Sequence, residues 1–505
     1  MSEQIHDPIP SDPGAENCEA LPPPPTRGAV KSGVIWVGAG FGLKQILRFG
    51  SSIVLASLLY PEAFGLYALT FAFITGLHLF SDLGIRVSII QNPRGDDPDF
   101  LNTAWTIQII RGFVLFIAAA LFAWPAAYWR PNPEPDLLWL LPLVSVASIF
   151  DGFTSTKLHS LHRHLAQKKA AMIDFFSTAA GIAVQLTWAY FDHSVISLAS
   201  GSLSGVLVEV ILGHLLPGPR NRLKWDPASA RQIVHFGRWI FLSTIFTFMA
   251  DHMDRIVVSF FSVTILGVYH IANQFAMVPA ILMGTLARQL VLPLYSRMND
   301  AGKNLDESVR MVQLRAGALA ALLIAGLIAV GPTLIRCLYD DRYQEAGWIL
   351  PMLAVSALFQ IFVANASSLL IARGNSRIYA LSNAIKVGCL IVFMPLGAYF
   401  DGLRGLIAAL IAGDMGRYLC AGTAASKYGS PIFRRDAIWA IIALVVGVSV
   451  NQFVDAVGLT LPNGRKDWPR LIERLALEAA GVIVCWGVAA GAVWEYTRLR
   501  RKSAN

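Results

Sequence analysis

Read for its apolar and polar positions, the chain is a succession of apolar runs about 20 residues long, each ended by a short polar break. The first two runs turn back on each other across Tyr60-Pro61-Glu62-Ala63, within LLYPEAFGLYAL (58–69). A similar break returns in FFSVTILGVYHI (260–271), where Gly267 and Tyr269 take the places of Gly65 and Tyr67. The pattern predicts fourteen helical spans, at 33–59, 64–90, 104–129, 137–156, 170–191, 194–216, 235–260, 267–292, 311–335, 347–370, 378–400, 405–425, 437–457 and 473–496. Runs of this length match helices that cross a hydrocarbon core of ~30 Å, and they are too long and too little alternating for barrel strands.

The two similar breaks lie near the starts of two sets of six spans. An even number of spans brings the second set into the membrane in the same sense as the first, so the expected architecture is two parallel six-helix lobes around a central cavity. The expected division is a disordered cytoplasmic tail (1–30), a first lobe (31–216), a cytoplasmic connector (217–234), a second lobe (235–425), two extra transmembrane helices (426–496) and a basic cytoplasmic tail (497–505). The first thirty residues are rich in Pro and acidic residues and lack the basic start and apolar core of a cleavable signal.

Lys and Arg in the connections orient the array. With both termini inside, the cytoplasmic connections hold 23 basic residues and the outer ones 8. Half of the outer eight lie between Arg465 and Arg474, so the last two spans are the exception to the trend.

Composition agrees with this reading. The chain is 55% hydrophobic and only 15% charged, with a mean hydropathy of +0.53, whereas soluble domains carry roughly 25% charged residues. The fold class is an all-α integral membrane protein. The net charge of +8 is spread over connections that topology already explains, so it does not point to nucleic acid. The five cysteines show neither a CxxC pair nor metal-ligand spacing, and no metal or cofactor is implied. No Walker, HExxH or nucleophile-elbow motif appears, and no connection is long enough for a soluble catalytic domain. A carrier is the expected class.

Chemistry in such a chain resides in ionisable groups inside the spans, which are costly there. Lys44 and Arg48 lie four apart in the first span, on one helical face; the bland alternative is that acids on a neighbouring helix neutralise them. His78, Asp82 and Arg86 form a second spacing-four series, read as one polar stripe. In the seventh span Asp251, Asp254 and Arg255 share a face beside His252, and Arg288 lies in the eighth. Asp414 and Arg417 read as an i, i+3 pair, and Lys386, Arg111 and Arg315 are further basic candidates. Arg86, Arg111, Arg288 and Arg315 are near enough to span ends to snorkel to the headgroups. Asp151 and Asp174 read as interfacial.

The run Gln45 to Gly50, the LASLLYPEAFGLYAL segment and the stretch from Asp82-Leu83-Gly84-Ile85 to Gln91 together resemble the opening of bacterial polysaccharide flippases. These form the WzxC-like branch of the multidrug/oligosaccharidyl-lipid/polysaccharide exporter superfamily. The resemblance implies a carrier that takes undecaprenyl-diphosphate-linked repeat units from the cytoplasmic to the periplasmic leaflet of the inner membrane. It implies basic residues in a central cavity, for which Lys44, Arg48, Arg255 and Arg288 are the positions available. A proton or Na⁺ could be exchanged at Asp82, Asp251, Asp254 or Asp414. Expected partners are the lipid-linked glycan and the bilayer, with polysaccharide polymerase and chain-length proteins downstream, around a monomer. A lipid II flippase, a cation-coupled multidrug exporter and a membrane polymerase or ligase of lipid-linked glycans remain alternatives.

Overall fold

A computed structural model describes residues 27–81, 84–92, 94–163, 167–300, 306–427, 432–459 and 468–502. The expected tail lies outside them except for its last four residues. Among the described residues there is no strand, as expected for a chain whose backbone groups must find partners within their own segment in lipid.

The helices are α1 (Arg27–Leu58), α2 (Pro61–Phe80), α3 (Ile85–Gln91), α4 (Pro98–Tyr128), α5 (Leu137–Gly152), α6 (Thr156–Arg163), α7 (Gln167–Phe191) and α8 (Ile196–His214). They continue with α9 (Pro227–Val258), α10 (Val263–Ala276), α11 (Val278–Leu286), a π-helical segment (Ala287–Val291), α12 (Leu292–Asp300), α13 (Asp306–Leu338) and α14 (Ala346–Ala372). α15 (Ser376–Ser426), α16 (Ile432–Ala456) and α17 (Trp468–Lys502) complete the chain. Among the described residues, ten helical stretches are long and apolar enough to cross a membrane, and α5 is a shorter apolar helix. α15 counts once among the ten, although Asp401 and Gly402 (φ +53°) break its helical course between the two spans read at 378–400 and 405–425.

Local sequence sets these ends. Pro61, Pro98 and Pro227 each open a helix at its first position, where the missing N–H costs nothing. Asp97 and Asp226 cap α4 and α9 by accepting backbone N–H groups. One expectation fails here. The second span, read as 64–90, stops at Phe80, because Ser81 closes α2 and left-handed Gly84 starts α3 afresh. His78 and Arg86 therefore lie on separate helices and share no continuous helical face; Asp82, the middle member of the expected stripe, lies outside the described residues.

α1, α4, α5, α7 and α8 pack mainly among themselves, and α11 to α15 do likewise, with α16 and α17 against α13, while α2, α9 and α10 pack mainly across the seam between the two sets. The two sets meet chiefly where α2 crosses α10. There Gly65 and Gly267, the matched positions of the two breaks, face each other. A Cβ on Gly65 would come 1.9 Å from the carbonyl oxygen of Val263, and one on Gly267 would come 1.8 Å from that of Pro61. Matched residues meeting reciprocally are what a two-fold relation between repeats produces at its axis.

Candidate functional site

The seam between the two sets is closed at the Pro61 end. Besides the glycine crossing, Thr264 Oγ1 donates to Glu62 (2.8 Å), Tyr343 OH donates to the Leu59 carbonyl (3.1 Å) and Arg130 donates to the Ser259 carbonyl (3.3 Å). Phe49 stacks on Phe275 with centroids 4.5 Å apart. Beyond this seal a cavity of about 1020 Å³ opens between the sets, lined by α1, α2, α7 and α8 on one side and by α9, α10, α14 and α15 on the other.

Arg48 is exposed into this cavity and makes no ion pair or side-chain hydrogen bond among the described residues. Lys44 is differently placed. Its ammonium meets both carboxylate oxygens of Asp174 on α7 at 2.7 Å, and it lines a neighbouring chamber rather than the central cavity. Helical spacing placed Lys44 and Arg48 on one side of α1, but one turn is enough to separate a neutralised cation from an unpaired one. Asp174 is thus the acid on a neighbouring helix that neutralises Lys44, the bland alternative that its spacing left open.

Across the cavity, Arg255 donates to His252 Nδ1 (3.0 Å), while its buried Nε has no partner. Arg288 sits on the π-helical segment and is exposed into the cavity. A π-turn displaces one residue from the regular ladder, a device frequent at functional sites. Asp254 accepts the Tyr269 hydroxyl (2.6 Å) on one oxygen and leaves the other unpartnered. Asp251 is 3.8 Å from Arg417.

Asp414 does not pair with Arg417 as its spacing suggested. It is fully buried and bound to Lys386 (2.7 Å), with Ser356 and Gln360 also reaching its second oxygen. Arg417 instead lies over Tyr379, 5.6 Å from the ring centroid. The i, i+3 geometry was available, but the buried carboxylate took the cation that shares its interior environment. His78 lines neither cavity; its Nε2 bonds Ser148 Oγ (2.7 Å). Arg86 is exposed in the neighbouring chamber. Glu209 on α8 was missed, although a lone acid inside an apolar span is the same signal that singled out Lys44; it lines both cavities.

Taken together, the described helices form a bundle in which ten stretches are long and apolar enough to cross a membrane, with a polar, cation-bearing cavity between two packed sets. The family described as polysaccharide biosynthesis protein matches residues 54–347, more than half of the chain, and the chain belongs to that family. The chain is 23% identical to the lipopolysaccharide biosynthesis protein WzxC of Escherichia coli K12 over 374 residues, 73% of each protein. It is 20% identical to the succinoglycan biosynthesis transport protein ExoT of Rhizobium meliloti over 61% of this chain and 62% of that protein. Among solved structures, the lipid II flippase MurJ in its inward closed conformation superposes with a TM-score of 0.71, covering 92% of this chain and 99% of MurJ at 13% identity. An inward-facing multidrug transporter of the MATE family gives 0.60 over 76% of this chain and 95% of its own, at 15% identity.

Proposed function

We propose that the protein carries undecaprenyl-diphosphate-linked oligosaccharide repeat units from the cytoplasmic to the periplasmic leaflet of the bacterial inner membrane, for surface polysaccharide synthesis. The observation that carries this reading is the set of guanidinium groups without carboxylate partners, Arg48, Arg255 and Arg288, facing one cavity inside a membrane bundle. A diphosphate cannot enter hydrocarbon unpaired, and charge-assisted hydrogen bonds from arginines offset that desolvation. Lys44 would join them once released from Asp174. The polyprenyl chain needs no cavity, since it is at home in lipid.

In this reading the two helix sets are lobes that rock about the Gly65–Gly267 crossing, and the Pro61 end faces the periplasm. Fourteen crossings with both termini cytoplasmic fit the Lys and Arg distribution. The exception in that distribution shrinks, because Arg474 is a buried side chain of α17 and not a loop residue. The carrier works as a monomer and hands its cargo to polymerase and chain-length proteins. Of the four carboxylates considered for ion coupling, Asp254 is the best placed, with one unpartnered oxygen in the cavity wall. Transport into proteoliposomes that ignored both a pH difference and a Na⁺ gradient would overturn that assignment.

The direct test is Arg48→Ala combined with Arg288→Ala. The double variant should reach the membrane at the normal level, lose surface polysaccharide and accumulate the lipid-linked repeat unit. Unchanged polysaccharide would sink the proposal.

A further inference from the structure

Beside the central cavity lies a chamber of about 720 Å³, walled by α1, α3, α4, α5, α6 and α7, by Glu209 of α8, and by Thr285 and Gln289 from the second set of helices. Asp174 and Glu209 line both spaces, so the chamber adjoins the central cavity at the Lys44–Asp174 pair. We infer that this chamber is a glycan subsite, holding neutral, hydroxyl-rich sugar of the lipid-linked substrate while the arginines of the central cavity hold its diphosphate. The inference rests on the carrier function proposed above.

Three properties of the wall point to sugar. Its ionisable groups are mixed in sign: Lys44, Arg86 and Arg111 line it together with Asp151, Asp174 and Glu209, unlike the central cavity with its unpaired arginines. A polyprenyl chain is excluded, because packing it there would strip water from those six ionisable groups. A ligand that donates and accepts at many points suits such a wall, and its volume is in the range that encloses a small ligand.

The second observation is independent of the charges. Gln108 of α4 is only 6% exposed. Its Nε2 donates to the Asp151 carbonyl (3.2 Å), which fixes the amide, while Oε1 has no partner. A buried acceptor left open is costly unless something fills it. The residue itself lines the chamber, so a small side-chain movement would bring this acceptor to a hydroxyl or amide N–H donor held there. Phe175 adds a ring against which the C–H face of a pyranose can pack.

The test uses the full-length protein in nanodiscs and two probes: farnesyl diphosphate, which carries no sugar, and the lipid-linked repeat unit extracted from cells lacking this protein. Gln108→Leu removes the open acceptor at similar volume. It should weaken binding of the glycan-bearing probe about tenfold, the scale of one buried hydrogen bond, and leave farnesyl diphosphate within twofold. Gln289→Leu, on the opposite wall with an exposed side chain, carries the same expectation if the first variant folds poorly. Arg48→Ala should weaken both probes alike. Equal binding of both probes by wild type and both glutamine variants would mean that the chamber holds only water, and would overturn the subsite alone. Failure of the wild type to bind farnesyl diphosphate would overturn the diphosphate reading and the subsite together.

Discussion

The two walls of the central cavity each carry a lysine–aspartate pair at 2.7 Å, and the pairs differ in almost every other respect. Lys44 and Asp174, on the first wall, have side chains 22% and 59% exposed. Lys386 and Asp414, on the second, are 2% and 0% exposed, and Ser356 and Gln360 also bond the carboxylate. Water screens the first pair, so separating it costs little and its lysine can be exchanged to a passing anion. The second pair has given up its hydration and cannot be separated without leaving a bare charge. The same chemistry therefore makes an exchangeable contact on one wall and a fixed strut on the other.

The largest test of this contrast is Asp414→Asn, or Lys386→Met. Either should lower stability by about 3–5 kcal/mol in thermal unfolding of the purified protein, because the remaining partner is buried uncompensated. Replacing both at once, Lys386→Met with Asp414→Leu, should recover most of the loss. If each single change were silent, the pair would not be the strut described.

The crossing that joins the walls comes next. Gly65→Ala and Gly267→Ala place a methyl against backbone atoms that cannot swing aside. Each should cost about 1–3 kcal/mol from overpacking and impair closure of the Pro61 end. Surface polysaccharide should fall far more than membrane level, while Gly42→Ala, whose Cβ meets nothing within 4 Å, should do neither.

A capping site outside both walls gauges an ordinary polar contact. Asp97 caps α4, and the hydrogen bond from the Arg94 guanidinium holds its carboxyl below the usual range. A lowered folded-state pKa gives stability that is present above the unfolded value, near ~3.9, and is lost as pH falls through the folded one. Asp97→Ala should cost about 1 kcal/mol at neutral pH. The difference from wild type should shrink below about pH 4, as measured by unfolding across pH.

The smallest expected effect is on the first wall. Asp174→Asn should change stability by less than about 1 kcal/mol, yet it frees Lys44. Farnesyl diphosphate should then bind a few-fold more tightly in a direct binding measurement. Weaker binding would show that Asp174 orients Lys44 rather than occupies it.

Much of the fold was legible. Twelve of the fourteen apolar segments fall largely on a single helix, while 64–90 and 267–292 are divided among shorter ones; the Pro61 and Asp401–Gly402 breaks appear where polar or flexible residues interrupt the runs, and the matched glycines meet. The 64–90 segment was misread because Ser81 and Gly84, unremarkable in an apolar run, end one helix and start another. Of the candidate residues, Arg48, Arg255, Arg288, Asp251 and Asp254 line the central cavity, whereas His78 does not and Asp414 lies behind its wall.

By itself the sequence determined the membrane class, most of the helices and the cationic character of the interior, because these follow from hydropathy and from residues near in the chain. Which charge meets which was decided only by tertiary structure. Lys44 and Asp174 are 130 positions apart, and helical spacing says which side of its own helix a residue occupies but not what that side will face. Whether a pair can open depends further on the water left around it, a property of the packed assembly and of no segment alone.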